Sequence, residues 1–377
     1  MKGGYFMQTW HKEIRYENKN PFSESVFTET SIFFDIETTG FSPSNTTVYL
    51  IGCARRKGDF ICVDQFFAES PKEEKLLLTA FLDLLGQYDT IITFNGIGFD
   101  IPYLKAKCDH YGMNEDFSDF SYIDIFKSLS KFRHLFKLPI FKQKTVEKFL
   151  GLEREDLYSG GELINIYHDY VKSPDAQQAD LLKLHNYEDV LGMVDLLPIL
   201  TYLQLFQGAF SIQTIEKNIY EDYSRTSKDE CIFTLKNLYP VPKRISFGYE
   251  NIYFTSYQDT TKISIRIYDG ELKYFYPNYK DYYYLPHEDT AVHKSVAFYV
   301  DKDYRTKAKA ATCYSKKTGC FLPQYEVVVS PYFKLEYHDK MSYFELTDDF
   351  WDDEDTVRQY IMHIFSILLQ QSGKKQK

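Results

Sequence analysis

The order of apolar and polar positions predicts three adjacent strands early in the chain. The apolar residues 32–34 lie within Ser31–Gly40, and two longer runs rich in β-branched and aromatic residues follow at Thr47–Arg56 and Phe60–Phe67. Lys57-Gly58-Asp59, between the last two runs, is a hairpin signal. We therefore expect the three strands to form an antiparallel meander.

The apolar spacing then alternates between helical and strand periods. Lys72–Leu85 has apolar residues at helical spacing and acidic residues in its first turn, and Gly86 follows as a stop signal. Thr90–Phe94 and Ser121–Ile125 are short apolar strands separated by a helix that opens at Pro102. Because a strand–helix–strand order implies a parallel crossover, the pattern predicts an α/β domain with a mixed five-stranded sheet and flanking helices.

Three segments complete the predicted organisation. Residues 1–30 are a polar lead-in with a short strand expected near Phe27. Helices at Thr145–Leu150, closed by Gly151, and at about 175–205 complete an α/β domain over residues 31–205. Residues 206–377 form a separate β-rich domain.

Short β-runs predict that this second domain is antiparallel. They are Ile252–Tyr257, Lys262–Tyr268, Glu271–Tyr276, Lys294–Val300, Ala310–Tyr314 and Tyr332–Tyr337. Asp269-Gly270 and Lys317-Thr318-Gly319 are expected to be hairpin turns. An acidic loop, Asp348–Asp355, precedes an amphipathic helix at Val357–Leu369 that should pack on the sheet.

Three consecutive tyrosines in this domain have two interpretations. Tyr282, Tyr283 and Tyr284 could form a nucleic-acid platform with nearby basic residues, or they could pack because tyrosine suits strands. The basic residues are Lys302, Arg305, Lys307, Lys309, Lys316 and Lys317. The packing interpretation is slightly favoured.

Composition narrows the class of protein. The 377 residues are 44% hydrophobic and 26% charged, as in soluble globular proteins, and the six cysteines lack metal-binding spacing. No stretch resembles a membrane span, and Met1–Trp10 lacks the apolar run of a signal peptide. We therefore expect a cytoplasmic protein with reduced thiols and no membrane partner. A net charge of −10 argues against holding nucleic acid by bulk electrostatics.

Two carboxylates follow the first apolar run. Asp35 and Glu37 are two residues apart, which places them on one face of a strand, where their repulsion favours a bound cation. The alternative is a strand whose last residues reach solvent. Asp100 comes just after a parallel strand, at the edge where α/β sheets bind ligands, although it could instead cap the next helix.

A histidine and a further carboxylate lie on a later helix. His185 and Asp189 are four residues apart and therefore share a helix face. Alone, the pair is typical of a solvated helix face. Together with Asp35, Glu37 and Asp100 it supplies what metal-assisted phosphodiester hydrolysis needs: oxygen ligands for two divalent ions, and an imidazole to take a proton from water.

Three motifs resemble a known superfamily. DIETTG (35–40), FNGIGFD (94–100) and HNYED (185–189) resemble the motifs of the DEDD exonucleases, and the group most similar is the YprB-like ribonuclease-H-like exonucleases. Ile123-Asp124, Lys144–Glu147, Leu150-Gly151, Arg154, Asp156 and Gly161 extend the resemblance. It covers about residues 31–200.

The resemblance implies a ribonuclease-H-like fold and 3′–5′ exonuclease activity with two ions of Mg²⁺ or Mn²⁺. Asp35, Glu37, Asp100 and Asp189 would be the metal ligands, with Asp35 bridging. His185 would be the general base, in a His-type third motif. No role carries over to Glu188, and Asp124 is expected to cap a helix.

One basic segment could hold the substrate. Lys127, Lys131, Arg133, Lys137, Lys142 and Lys144 lie within 127–146, which contains no acidic residue. Phe132, Phe136 and Phe141 alternate with them, a mixture that suits phosphate contact and base stacking. An amphipathic helix with a solvated basic face and buried phenylalanines is an equally good interpretation.

The sequence thus predicts a metal-dependent 3′–5′ exonuclease acting on DNA or RNA. Two alternatives remain: a structure-specific endonuclease on the same fold, and a nucleic-acid-binding module without catalysis. Such a module would be expected to have lost a metal ligand, whereas this chain retains all four carboxylates and the histidine.

Overall fold

The computed structural model describes residues 7–17, 20–113, 116–156, 158, 160–221 and 225–372. The chain forms two compact units. The first comprises Met1–Gln204 with Val241–Lys243, and the second comprises Leu205–Pro240 with Arg244–Lys377.

The first unit is built on a mixed six-stranded sheet in the order β1-β4-β3-β2-β5-β6. The strands are β1 (Gln8–Arg15), β2 (Ser31–Thr38), β3 (Val48–Lys57), β4 (Phe60–Phe67), β5 (Thr90–Thr93) and β6 (Ser121–Asp124). Strands β1, β4, β3 and β2 are antiparallel, while β5 and β6 continue parallel to β2. The predicted meander, hairpin and parallel crossover are confirmed.

The lead-in differs from the prediction. Strand β1 pairs with β4 at the sheet edge and adds a sixth strand to the five expected. Its residues are mostly polar because most of them face solvent, so the apolar pattern missed it. The strand expected near Phe27 is wrong: Pro21–Val26 is a short helix, α1, whose first N–H groups are capped by Asn20.

Among the described residues, seven further helices belong to or begin in this unit. They are α2 (Glu74–Leu85), α3 (Asp100–Tyr111), α4 (Ile125–Leu129), α5 (Gln143–Leu150), α6 (Gly160–Lys172), α7 (Ala176–Leu196) and α8 (Thr201–Phe206). Gly151 ends α5 in a left-handed conformation at φ +85°, as its position predicts. Asp124 caps α4 by accepting from Lys127 N, which confirms its expected role.

Apolar packing covers both faces of the sheet. Helices α2 and α3 bury Phe81 and Leu104 with Phe34 on one face. Helices α6 and α7 bury Tyr167 and Leu182 with strands β3 and β4 on the other. The central strand β2 is consequently held on both sides, which fixes the side chains at its carboxyl end.

One helical segment has a property that the sequence analysis did not identify. Residues 176–206 are long and apolar enough to cross a membrane by length and composition alone. In the most apolar window of this segment, 61% is buried inside the protein. A core helix satisfies the same criterion.

In the part of the second unit that the structure describes, the strands form three antiparallel sheets, and a long helix follows them. The strands are β7 (Phe210–Glu221), β8 (Ser227–Tyr249), β9 (Ile252–Arg266), β10 (Tyr268–Phe275), β11 (Tyr282–Leu285), β12 (Thr290–His293), β13 (Thr306–Lys307), β14 (Tyr314–Gln324), β15 (Tyr332–Phe333) and β16 (Ser342–Glu345). The sheet orders are β7-β8-β9, β10-β14-β16-β15 and β12-β11-β13. The helices are α9 (Lys294–Ala297), α10 (Asp348–Asp352) and α11 (Glu354–Ser372).

Several local predictions for this unit are wrong. Lys294–Val300 begins with helix α9, and Ala310–Thr312 is a 3₁₀ turn. Asp269-Gly270 and Lys317-Thr318-Gly319 lie inside β10 and β14, where Gly270 pairs with Gly319. Residues 348–352 of the expected acidic loop form α10. The predicted helix after it is confirmed: Phe365 of α11 packs on Phe210 and Phe254 of the first sheet.

The consecutive tyrosines make packing and hydrogen-bond contacts. Tyr282 stacks on Tyr276 with ring centroids 4.5 Å apart, and Tyr284 donates to Asp289. Lys316 also pairs with Asp289, and the Arg305 guanidinium lies 5.1 Å from the ring centroid of Tyr283. These contacts favour the packing interpretation.

Candidate active site

Strand β2 carries the first two carboxylates to the middle of the sheet. Asp35 pairs with Gly52 of β3, and Glu37 pairs with Leu50. Gly52 leaves room for helix α7, because a Cβ atom at this position would lie 2.0 Å from Asn186 Oδ1. The absence of a side chain at Gly52 therefore lets the helix with the third motif approach the strand with the first.

Asn186 joins the two elements. Its Nδ2 donates to Asp35 O at 3.3 Å and to Asp35 Oδ2 at 3.2 Å. Its Oδ1 accepts from Gln65 Nε2 at 3.0 Å, which fixes the orientation of the amide. Gln65 lies on β4 outside the three motifs, so no local pattern in the sequence indicates its role.

His185 lies among three acidic side chains and is 5% exposed. Its Nε2 is 3.1 Å from Asp189 Oδ2 and 3.6 Å from Glu37 Oε1, and its Nδ1 is 2.6 Å from Asp156 Oδ2. One ligand atom from each of Glu37, His185 and Asp189 lies within 4.8 Å of the other two. The first and third motifs therefore meet.

Asp100 approaches the same group from helix α3. It is the first residue of the helix, whereas the N-cap position is Phe99, so the capping alternative does not hold. Its Oδ1 accepts from Ile36 N at 3.2 Å, between Asp35 and Glu37 in the chain. The structure thus brings all five predicted residues, Asp35, Glu37, Asp100, His185 and Asp189, into one cluster.

The clustered carboxylates raise one another's pKa. Burial raises the pKa of Asp35 well above its ordinary value, and the charges of Asp189, Glu37 and Asp100 add to the effect. Burial raises the pKa of Glu37 to about 8, against the opposing effect of His185. Burial also raises the pKa of Asp100 to about 7, although hydrogen bonds from backbone N–H groups oppose it. The site therefore favours added positive charge.

Two groups, in contrast, are stabilised in their charged forms. Burial would lower the pKa of His185, but its hydrogen bond to Asp189 and the charge of Glu37 raise it to about 9. Burial would raise the pKa of Asp189, but His185 and Arg154 hold it below its ordinary value. Asp189 is therefore the ionised partner of two cationic side chains.

Arg154 is a further residue of the site, and its role does not follow from the sequence motifs. Its guanidinium forms two hydrogen bonds with the buried carboxylate of Glu147 and a third with Asp189 Oδ1. Gln143 Nε2 on α5 donates to Glu147 Oε1 at 3.0 Å and to Asp189 O at 2.7 Å. Since His185 contacts Asp189 Oδ2, both oxygens of Asp189 are engaged.

The donor set fits a hard divalent cation. Four carboxylates converge, three of them have raised pKa values, and an imidazole lies beside them. Oxygen-rich sets of this kind suit Mg²⁺ or Mn²⁺, whereas the cluster has no thiolate that would select a softer metal.

Comparison with known proteins identifies the fold. Residues 32–201 match the family model RNase_H_2, which is described as RNase_H superfamily. This segment has a ribonuclease-H-like fold. The match confirms the fold predicted from the three motifs, and the ribonuclease-H-like domain contains all five residues of the cluster.

Two curated relatives match parts of this domain. An uncharacterized protein of Bacillus subtilis (strain 168), YprB, is 32% identical over 171 residues, which cover 44% of this chain and 40% of that protein. A DNA polymerase of Methanocaldococcus jannaschii is 32% identical over 107 residues, covering 26% of this chain and 6% of the polymerase. The chain therefore spans less than half the length of either relative.

Two solved structures are similar at a lower level. The family B DNA polymerase of Pyrobaculum calidifontis has a TM-score of 0.37 and 19% identity, over 46% of this chain and 25% of the polymerase. Exonuclease I of E. coli in complex with a dT13 oligonucleotide has a TM-score of 0.32 and 12% identity, over 56% of this chain and 55% of that one.

The charge cluster predicts how the stability of the metal-free protein depends on pH. The pKa of Glu37 rises from 4.5 to about 8 on folding, so the unfolded chain releases its proton first and stability falls between these values. The pKa of His185 rises from 6.5 to about 9, so its stabilisation is full below 6.5 and is lost through 9. Both shifts therefore lower the free energy of unfolding as the pH rises.

We therefore expect the unfolding midpoint of the EDTA-treated protein to be several degrees lower at pH 9 than at pH 6.5. A change of about 1 kcal/mol moves the midpoint of a domain of this size by roughly 2–4 °C. Calorimetry at both pH values, with and without Mg²⁺, measures the effect. The ion should reduce the difference, and a metal-free midpoint independent of pH would contradict the assigned shifts.

Proposed function

We propose that this protein is a metal-dependent nuclease that removes nucleotides from 3′ ends of DNA or RNA. The observation that carries the proposal is the convergence of Asp35, Glu37, Asp100 and Asp189 on one site with His185 Nε2 facing it. A scaffold that only binds nucleic acid has no need to bring four mutually repelling carboxylates together, two of them, Glu37 and Asp100, buried.

Each carboxylate has a place in the proposed chemistry. Asp35, at the centre of the sheet, would bridge two ions, and Glu37, Asp100 and Asp189 would complete their ligands. Two divalent ions, when bound, supply stabilisation of charge on the entering and leaving oxygens of the phosphodiester. Arg154 donates to Asp189 Oδ1 and so fixes the orientation of this carboxylate, which would hold an ion together with the other three.

His185 would act as the general base. Its Nε2 points toward Glu37 and Asp189, so a water molecule held between these groups would lie within reach of the imidazole. The negative charge that raises the pKa of His185 is the charge that cations would neutralise, which would return the imidazole toward its proton-accepting form.

The structure changes the interpretation of four residues in the basic segment. Phe132, Phe136 and Phe141 are buried, so their predicted use in base stacking is wrong. Lys144 Nζ donates to Asp156 Oδ2 and Tyr158 O, both at 2.7 Å, so it belongs to an ion pair as well as to the basic segment.

The other five basic residues of the segment keep their proposed role in phosphate contact. Lys127, Lys131, Lys137 and Lys142 are exposed, while Arg133 is half-buried against His134. Lys142 is adjacent in sequence to Gln143, whose Nε2 donates to Asp189 O. This end of the segment therefore lies beside a residue that contacts the site.

Reversing charge in this segment should weaken binding without changing the chemical step. We expect the double variant Lys131→Glu/Lys142→Glu to bind single strands at least tenfold more weakly and to show a shallower salt dependence, since each lost phosphate contact removes about 0.7 from the slope. Binding titrations at several salt concentrations test this. Lys172→Glu, on the exposed side of α6, is the matched control. An unchanged slope would assign the segment to the solvated-face interpretation.

A cleavage assay tests the proposed function itself. Single- and double-stranded DNA and RNA labelled at either end are incubated with Mg²⁺, Mn²⁺ or EDTA. Stepwise shortening of 5′-labelled strands that EDTA abolishes supports 3′–5′ exonuclease action. Cleavage of a closed circle would support the endonuclease alternative, and binding without cleavage in either metal would support the binding module.

A further inference from the structure

The loop between α5 and α6 is fastened to the helix that carries His185. Glu188 Oε1 accepts from Glu155 N and Glu188 Oε2 accepts from Asp156 N, each at 2.9 Å. A carboxylate that accepts from two consecutive N–H groups fixes both the position and the direction of that backbone. Glu188 therefore holds the backbone of residues 155 and 156 against α7.

This anchoring delivers the Asp156 carboxylate to His185. The Asp156 side chain is 2% exposed, and its Oδ2 is 2.6 Å from His185 Nδ1. The same oxygen accepts from Lys144 Nζ at 2.7 Å, and Oδ1 accepts from Tyr158 N at 3.0 Å. Hydrogen bonds and charge lower the pKa of Asp156 in spite of its burial.

The donors around Asp156 determine the role of each imidazole nitrogen. An ionised carboxylate only accepts, so His185 Nδ1 must carry the hydrogen of the 2.6 Å bond. Nε2 is consequently the nitrogen that can hold a lone pair, and it is the nitrogen directed at Asp189 and Glu37. Tautomer and ring orientation are set by the same contact.

We propose that Asp156 is the positioning residue of His185 and that Glu188 holds Asp156 in place for this purpose. The catalytic part of the inference rests on the proposed nuclease function. Asp156 does not touch the substrate: it acts by keeping Nε2 directed at the site, so its loss lets the ring rotate and presents Nδ1 or neither nitrogen.

Two measurements on the same variants test the proposal. In the metal-free protein, nitrogen-15 NMR of the histidine side chains reports the Nδ1 hydrogen of His185, assigned by its absence in His185→Gln. Single-turnover cleavage at saturating Mg²⁺ measures the rate at which bound substrate is cleaved separately from the affinity for substrate. The full-length protein is used throughout.

Asp156→Ala should lose the protected Nδ1–H signal and cleave about 10- to 100-fold more slowly, the range observed when a carboxylate that orients a metal-ligating histidine is removed. Substrate affinity should stay within about twofold. Asp156→Asn, which keeps one oxygen acceptor, should lie between Ala and wild type. Glu188→Gln should act in the same direction more weakly, because Asp156 remains while one of its two anchoring acceptors is lost.

Glu153→Ala changes an exposed side chain of the same loop and is the matched control, expected to match wild type in both measurements. If Asp156→Ala fails to fold, Asp156→Asn and Glu188→Gln carry the same readouts. An unaltered Nδ1–H signal in these variants, or an unaltered rate beside an altered signal, would overturn the proposal. A wild-type protein that shows the signal but cleaves nothing would instead contradict the nuclease function and leave the contact established.

Discussion

Asp35→Asn is expected to reduce phosphodiester hydrolysis by at least about 10³-fold while the protein stays folded. The bridging position would lose its charge, and metal stabilisation of the reacting oxygens supplies several kcal/mol, with each 1.4 kcal/mol equal to a factor of ten. Stability of the metal-free protein should increase, because the Asp35 carboxylate is desolvated and is repelled by Asp189, Glu37 and Asp100. Asparagine keeps an oxygen that can accept from Asn186.

Opposite effects on activity and stability make this variant informative. Single-turnover cleavage at saturating Mg²⁺ gives the rate, and thermal unfolding in EDTA gives the stability. Asp169→Asn, on the exposed face of α6, is the control and should change neither. Cleavage at the wild-type rate would remove Asp35 from the mechanism, and a large loss of stability would mean that its charge serves the fold.

Local rules were sufficient for the residues that form the cluster. Asp35 and Glu37 follow from the period of a strand, and His185 and Asp189 from the period of a helix. Asp100 follows from its position after a parallel strand. Two glycines allow these elements to approach each other: Gly52 allows α7 to contact β3, and Gly192 lets Glu147 approach α7. The sequence shows the glycines but does not show which residue packs against each of them.

The surrounding groups could not be predicted in the same way. Arg154 and Asp156 lie in a loop without periodicity, and their partners Glu147, Asp189 and His185 are 7 to 35 positions away. Glu188 lies on a different helix face from Asp189, and on that face it accepts from the backbone of the loop. Contacts of this kind depend on the path of a loop in three dimensions, which local spacing does not encode.

Aromatic residues and glycines in the chain were misassigned for a related reason. Phe132, Phe136 and Phe141 alternate with basic residues as a stacking surface would, but all three are buried. Burying their large apolar surfaces stabilises the fold. Gly270 and Gly319 resemble turn residues, but they face each other across β10 and β14. In both cases the local pattern is compatible with two structures, and contacts with residues distant in the sequence determine which one forms.

His185→Ala is expected to slow cleavage by roughly 10² to 10⁴, the usual contribution of a general base. Metal affinity should remain near wild type, because the four carboxylates are intact. The deficit should narrow as pH rises, since hydroxide then replaces the water that needs a base. Single-turnover rates between pH 6 and 9, with Mg²⁺ titrated at each pH, measure both quantities. His168→Ala, on the exposed face of α6, is the control.

The double variant His185→Ala/Asp156→Ala links this prediction to the positioning of the imidazole. If Asp156 acts through His185, removing Asp156 should cost nothing further once the imidazole is gone, so the two effects should be fully non-additive. Additive losses would show that Asp156 contributes independently of the imidazole. A raised Mg²⁺ requirement at an unchanged limiting rate in His185→Ala would place His185 with the metal ligands, and the proton acceptor would then have to be another group.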